Sequence, residues 1–227
     1  MNTNDAKTRE PQYQRLIDLR KGGLGTLGLM TNQAWEDDPR HLLFTLSRYK
    51  FVAKMLSGAN HVLEVGCADA FGTRIVVQEV ANLTATDFDP VFIADVKERM
   101  SKKWSFECRA HDMLAGPLEQ DFDAAYALDV IEHIRPEDET LFVTNMVRSL
   151  GENGILILGT PSLASQIHAS PPSTAGHINC KDAPMLKALL SGFFHNVFIF
   201  SMNDEVIHTG YHPMAHYLFG IACSRRG

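Results

Sequence analysis

The sequence predicts an α/β fold in which a mostly parallel sheet is covered by helices on both faces. Three observations carry this. Short apolar runs of strand type, among them residues 62–65, 82–87 and 122–128, alternate with helical periodicities such as Leu42, Leu46, Tyr49, Val52 and Leu56. The runs are apolar almost throughout rather than at every second place, as expected of strands buried on both faces. Acidic residues recur where the runs end, at Asp87, Asp112 and Asp129. Ligands of such sheets sit at the carboxyl ends of the strands.

Residues 1–37 are polar and glycine-punctuated, with Gly22, Gly23, Gly25 and Gly28 close together. No Gly-Lys-Ser/Thr ending follows, so this is not a phosphate loop. The segment is either a flexible arm or a lid, because Leu29, Met30 and Trp35 are apolar groups that need cover. A single domain then fills residues 38–227. Asp38-Pro39 opens its first helix, the aspartate as cap and the proline at the first helical position, and Gly58 ends it. Arg48 and Tyr49 on this helix are candidates to reach a cofactor, with surface solvation the preferred role for Arg48.

The organising stretch is 61–73, His-Val-Leu-Glu-Val-Gly-Cys-Ala-Asp-Ala-Phe-Gly-Thr, which reads as strand, tight turn and helix. Gly66 at the strand end lets the backbone approach a ligand closely, and the following helix offers its unpaired N–H groups to something polar or anionic. About twenty residues on, a second strand ends at Asp87, where a carboxylate can accept both hydroxyls of a ribose. Pro90 opens a helix whose Phe92, Ile93, Val96 and Met100 share a face. A third strand, 106–110, ends at His111-Asp112, and a fourth, 122–128, at Asp129. Pro136 starts a helix buried through Val143, Met146, Val147 and Leu150, followed by a fifth strand at 154–159. The long Ser-, Ala- and Pro-rich stretch to about Lys181 is expected to have a task such as a lid or substrate wall. A helix through Leu186, Leu189, Leu190 and Phe193 leads to two final strands, 196–202 and 215–224. The intervening 203–214, with His208, Tyr211, His212 and Met214, is expected to line an acceptor pocket.

With 227 residues, 45% hydrophobic and 21% charged, the chain suits one soluble α/β domain. The polar N-terminus lacks a signal-peptide pattern and no apolar run is long enough to span a bilayer, so a cytoplasmic protein without a membrane partner is expected. Cys67, Cys108, Cys180 and Cys223 show no Cys-x-x-Cys spacing, suggesting neither a disulfide framework nor a zinc knot. A net charge of −6 argues against nucleic acid as a partner. The sequence assigns no oligomeric state.

The stretches Leu63-Glu-Val-Gly-Cys67, Thr86-Asp-Phe-Asp-Pro90, His111-Asp112, Phe122-Asp-Ala-Ala-Tyr-Ala-Leu-Asp-Val-Ile-Glu-His133 and Leu150-Gly-Glu-Asn-Gly-Ile-Leu-Ile-Leu-Gly-Thr-Pro161 occur in an order that resembles the class I S-adenosylmethionine-dependent methyltransferases. The resemblance covers roughly residues 61–161. It implies a Rossmann-like doubly wound sheet of seven strands, closed by an antiparallel C-terminal hairpin. It also implies S-adenosylmethionine as cofactor, held by Glu64, Gly66, Ala68, Asp87, Phe88, Asp112, Met113 and Leu128. Asp112 would take the adenine amino group, unless it is merely a turn or helix-cap aspartate. Ala68 and Ala70 stand where the family usually has glycine, and alanine tolerates positive φ poorly. In this family the segment before the first strand often closes over the cofactor.

Methyl transfer from a sulfonium requires an acceptor held in line and stripped of its proton. Asp129, Glu132 and His133, at i, i+3 and i+4, share one face if the chain turns helically after Leu128. Joined by His177, they resemble the divalent-metal site of methyltransferases acting on small-RNA 2′-hydroxyls and of the O-methyltransferases of ubiquinone biosynthesis, with Asp129 one methylene shorter than the usual glutamate. Magnesium or manganese suits the carboxylates, and the imidazoles admit zinc or iron. The alternatives are His133 or His177 as a plain general base assisted by Glu132, or both histidines as hydrogen-bonded scaffold. The expected activity is methylation of a small hydroxylated or amino-bearing molecule, O-methylation being preferred. A non-catalytic S-adenosylmethionine-binding module and a nicotinamide-dependent oxidoreductase are the competing readings. The second needs a glycine where Ala68 stands and gives the Asp129–His133 cluster no task.

Overall fold

The computed structural model describes residues 6–20, 22–119 and 121–227. The expectation for the N-terminal arm at residues 1–5 and 21 lies outside them. In chain order the helices are α1 (Gln14–Arg20), α2 (Leu29–Asp37), α3 (Arg40–Met55), α4 (Thr73–Val77), α5 (Pro90–Arg99), α6 (Glu139–Arg148), α7 (Pro171–Gly176) and α8 (Ala183–Ser191). The strands are β1 (His61–Val65), β2 (Asn82–Asp87), β3 (Glu107–Ala110), β4 (Phe122–Leu128), β5 (Leu150–Pro161), β6 (Phe194–Asn203), β7 (Val206–His208) and β8 (Tyr217–Arg225).

One sheet runs β3-β2-β1-β4-β5-β8-β6-β7. The first five strands are parallel, and β8 inserts antiparallel between β5 and β6. The sheet therefore has eight strands, not the expected seven. The additional one, β7, pairs Ser201–Asn203 of β6 with Val206–His208 inside the region expected to be a plain insertion. Helix α6 begins at Glu139 rather than Pro136, whose neighbours form a turn instead.

The pleat sends alternate strand residues to opposite faces. Leu63, Val65, Ala125, Leu156, Leu158 and Leu218 pack with α6 and α8 in one core. Val62, Ala124, Tyr126, Ile157 and Phe219 pack with α3, α4 and α5 in the other. Helix α5 is capped by Asp89, whose carboxylate accepts from the Val91 N–H, with Pro90 at its first position. The strand order reverses between β1 and β4, and the carboxyl ends of β1, β2 and β4 meet there. That crevice is where a sheet of this kind takes a ligand.

Candidate active site

At the tip of β1 the backbone is forced into a tight left-handed bend. Gly66 has φ +75°, and a Cβ there would lie 2.3 Å from Val130 Cγ2, so only glycine fits. Gly66 and Cys67 both donate their N–H to the Thr86 carbonyl, at 2.8 and 2.9 Å, which ties the bend to β2. Ala68 and Ala70 adopt φ of 46° and 51°: the two alanines take the conformation that glycine adopts without strain. Asp87 at the end of β2 points into this bend. Its Oδ2 accepts the Ala68 N–H at 2.8 Å and its Oδ1 the Asp89 N–H at 2.9 Å. Phe88 beside it is exposed.

Other residues expected at the cofactor lie differently. The Glu64 carboxylate is buried and already engaged within the core, with Oε1 accepting from Tyr49 Oη at 2.9 Å and Oε2 from Thr73 Oγ1 at 2.6 Å. Register explains this, since Glu64 shares the pleat face of Val62, against α3 and α4. Desolvation outweighs these hydrogen bonds and raises its pKa to about 7. Met113 and Leu128 are buried among core side chains. Asp112 is exposed, and its Oδ1 accepts the Leu114 N–H at 2.8 Å, closing the turn after β3.

The arm meets the same bend. Gly28 is packed so closely on Asp69 that a Cβ would lie 2.4 Å from its side chain. Thr31 of α2 donates its N–H to Asp69 Oδ2 at 2.7 Å and its hydroxyl to Oδ1 at 3.2 Å. Arg99 Nη2 adds a bond to the Asp69 carbonyl at 2.8 Å. These contacts are long-range, and nothing in the local sequence pattern announced them.

After β4 the chain does not turn helically at once. Asp129 has φ +56°, and a 3-10 turn starts only at Ile131 and runs to His133. The three residues expected on one face are therefore split. Both Asp129 oxygens accept from Arg48 Nη1, at 2.8 and 2.9 Å, and the Arg48 guanidinium stacks 3.9 Å from the Tyr217 ring centroid. Arg48 is thus a largely buried ion-pair partner rather than a solvated group, and Asp129 is engaged by it outside the donor group that Glu132, His133 and His177 form.

Glu132, His133 and His177 do come together, each offering one donor atom within 4.8 Å of the others. Glu132 is fully buried, Oε2 accepting from Thr160 Oγ1 at 3.2 Å while Oε1 has no partner. Burial, with the nearby Asp129 charge, raises its pKa to about 8. The Nδ1 of His133 lies 2.9 Å from the Gly176 carbonyl oxygen, and that of His177 lies 2.9 Å from Gln166 Oε1. Carbonyl oxygens only accept, so both Nδ1 atoms carry the proton and both Nε2 atoms present lone pairs. Burial and the His133 ring hold His177 below the usual imidazole pKa, favouring the neutral form. A carboxylate and two tethered imidazoles at these distances could hold a divalent metal, and metal-binding histidines usually engage such an outer carbonyl with their second nitrogen.

A strand-order switch point, a glycine bend facing Asp87 and a carboxylate–imidazole cluster after β4 together define a class: the Rossmann-like methyltransferase fold. Residues 63–158 match the family model described as a methyltransferase domain. Two Mycobacterium tuberculosis strains each hold a probable S-adenosylmethionine-dependent methyltransferase that is 28% identical over 105 residues, 46% of this chain. The chain spans about a third of the length of these curated relatives, 36%. Among solved structures, the Bradyrhizobium japonicum N-methyltransferase NodS in complex with S-adenosyl-L-homocysteine is similar with a TM-score of 0.59 and 21% identity, covering 83% of this chain and 89% of that one. The methyltransferase domain of a bacterial Hen1 reaches 0.65 at 14% identity, covering 79% and 98%. These structures speak to the fold. Residues 63–158 are thus similar to a methyltransferase domain, and the match favours that reading over the nicotinamide-dependent one.

Among the described residues no helix is long and apolar enough to cross a membrane. All four cysteines are free thiols.

Proposed function

We propose that this chain transfers the methyl group of S-adenosylmethionine to a hydroxyl oxygen of a small molecule, with a divalent ion held by Glu132, His133 and His177. The observation that carries the reading is the cluster after β4: Glu132, with Oε1 unpartnered, has one carboxylate oxygen within 4.8 Å of donor atoms of His133 and His177, whose Nδ1 atoms are tethered. Asp87 retains acceptor lone pairs for the ribose hydroxyls, and the exposed Phe88 ring offers a face to adenine. Asp112, with one oxygen engaged in its turn, has the other available for the adenine amino group. Gly66 lets the methionine portion approach the backbone.

When bound, such an ion lowers the pKa of an acceptor hydroxyl so that it is nucleophilic near neutral pH. The chain's own groups set the rest: Thr160 and the backbone fix Glu132, while Gln166 and Gly176 fix the ring tautomers. The neutral His177, with Nε2 free, also suits a second reading as general base.

The test is tritiated methyl transfer from S-adenosylmethionine to a panel of small phenols, catechols and aliphatic alcohols, with and without exhaustive chelation. Transfer that chelation abolishes and manganese restores supports the metal reading. Transfer that survives chelation but not His177→Ala leaves the base. Cofactor binding without transfer to any acceptor favours the non-catalytic module.

A further inference from the structure

The half-site is assembled from two pieces of chain that are distant in sequence: the 3-10 turn Ile131–His133 and the loop after α7 that carries His177. Two reciprocal hydrogen bonds join them. His133 Nδ1 bonds the Gly176 carbonyl oxygen at 2.9 Å, and the Asn179 N–H donates to the Glu132 carbonyl oxygen at 3.0 Å. These bonds set where His177 stands relative to Glu132, and Asn179 is the residue that registers the loop.

Asn179 is itself held by a buried ion pair. Lys181, 4% exposed, places Nζ 2.5 Å from Glu139 Oε2 and 2.5 Å from Asn179 Oδ1. Asn179 Nδ2 closes the triangle onto Glu139 Oε2 at 3.0 Å. Glu139 is the first residue of α6, so the triangle pins the loop to a rigid element just beyond the turn. From the far side, the Lys181 carbonyl accepts the Leu163 N–H at 2.8 Å, and Ser162 and Lys181 form a single isolated parallel bridge. Burying an ammonium is costly, and its partners return little net stability, whereas the geometry they impose is specific.

We propose that Lys181 is a positioning residue: through Glu139 and Asn179 it fixes the His177 loop against the Glu132 turn and so sets the metal affinity of the half-site without touching the ion. This rests on the metal reading above. Lysine supplies what the triangle requires, three donors on a compact charged head, which no neutral side chain of that length provides.

Cobalt(II) binding is the readout, followed by calorimetry and by the visible absorption of the bound ion, next to S-adenosylhomocysteine affinity on the same samples. Lys181→Met alone leaves the Glu139 carboxylate unpaired, so the double variant Lys181→Met/Glu139→Gln keeps the packing without a stranded charge. The double variant is expected to weaken cobalt binding by about tenfold to a hundredfold, the usual effect of outer-shell changes, and to alter the absorption band. Its S-adenosylhomocysteine affinity should stay within twofold. Cobalt affinity within twofold of wild type and an unchanged band would overturn the proposal while leaving the metal site standing. A wild-type protein that binds S-adenosylhomocysteine but no cobalt would overturn both.

Discussion

The two alanines of the first turn allow a quantitative test of its geometry. Ala68 and Ala70 both sit at positive φ, 46° and 51°. An L-residue in this region costs about 1–2 kcal/mol, which glycine does not incur. Glycine returns about 0.4–1 kcal/mol of that through the greater freedom of the unfolded chain. Ala68→Gly, at a half-buried position, should therefore stabilise the protein by about 0.5–1 kcal/mol. Ala70 differs because it is only 6% exposed and its methyl packs in the α3–α5 core. Losing that methyl costs about 0.8 kcal/mol, so Ala70→Gly should be close to neutral. Urea unfolding at constant m-value measures both. Destabilisation by Ala68→Gly, or a larger gain from Ala70→Gly than from Ala68→Gly, would refute the reasoning.

Other predictions concern the buried carboxylates. Burial pushes the Glu64 carboxyl up to about 7 in the folded chain, from about 4.5 when it is solvated. The folded state thus binds this proton more tightly than the unfolded one. Its contribution is full below about pH 4.5 and declines as pH rises toward 7, by up to about 1.4 kcal/mol per pH unit. Wild type should lose stability relative to Glu64→Gln over that window in denaturant titrations at stepped pH, and a pH-independent difference would count against the burial argument. Asp129→Asn should leave cobalt affinity within about twofold, because Arg48 already occupies the carboxylate, whereas Glu132→Gln should lower it by at least about tenfold. Equal losses in a calorimetric comparison would return Asp129 to the ligand set.

Much of this was written in the local pattern. The spans 82–87 and 122–128 are long enough in strand-type residues to be read to the residue, and Pro90 announces the start of α5. Strand β7 was not legible, since Val206 and Ile207 are too short an apolar run to signal a strand and pair only because β6 supplies an edge. Strand β5 begins earlier than expected because Leu150 already pairs with Phe122; Gly151, Glu152 and Asn153, which read as turn residues, lie in the irregularity before Ile155 pairs with Ala124. At the site, the sequence picked out Glu132, His133 and His177, which the fold brings together, but not the direction of Asp129. The spacing of Asp129, Glu132 and His133 suggested a shared helical face, and the positive φ at Asp129 broke it. The Arg48 partner that fills the vacated role lies 81 residues away in sequence, and the Lys181–Glu139 pair is likewise a product of tertiary packing. Periodicity reports which face of an element is buried, and such contacts fall outside it.

The most direct test is a calorimetric titration of S-adenosylhomocysteine into wild type and Asp87→Ala. Hydrogen bonds to a charged group are worth about 1.5–3 kcal/mol, so loss of the Asp87 carboxylate should weaken binding by at least about tenfold. The prediction is one nucleoside per chain for wild type and that loss for the variant. Saturable binding of equal strength by both proteins, or no heat from either, would contradict the assignment of the β1–β2 crevice as the adenosine site.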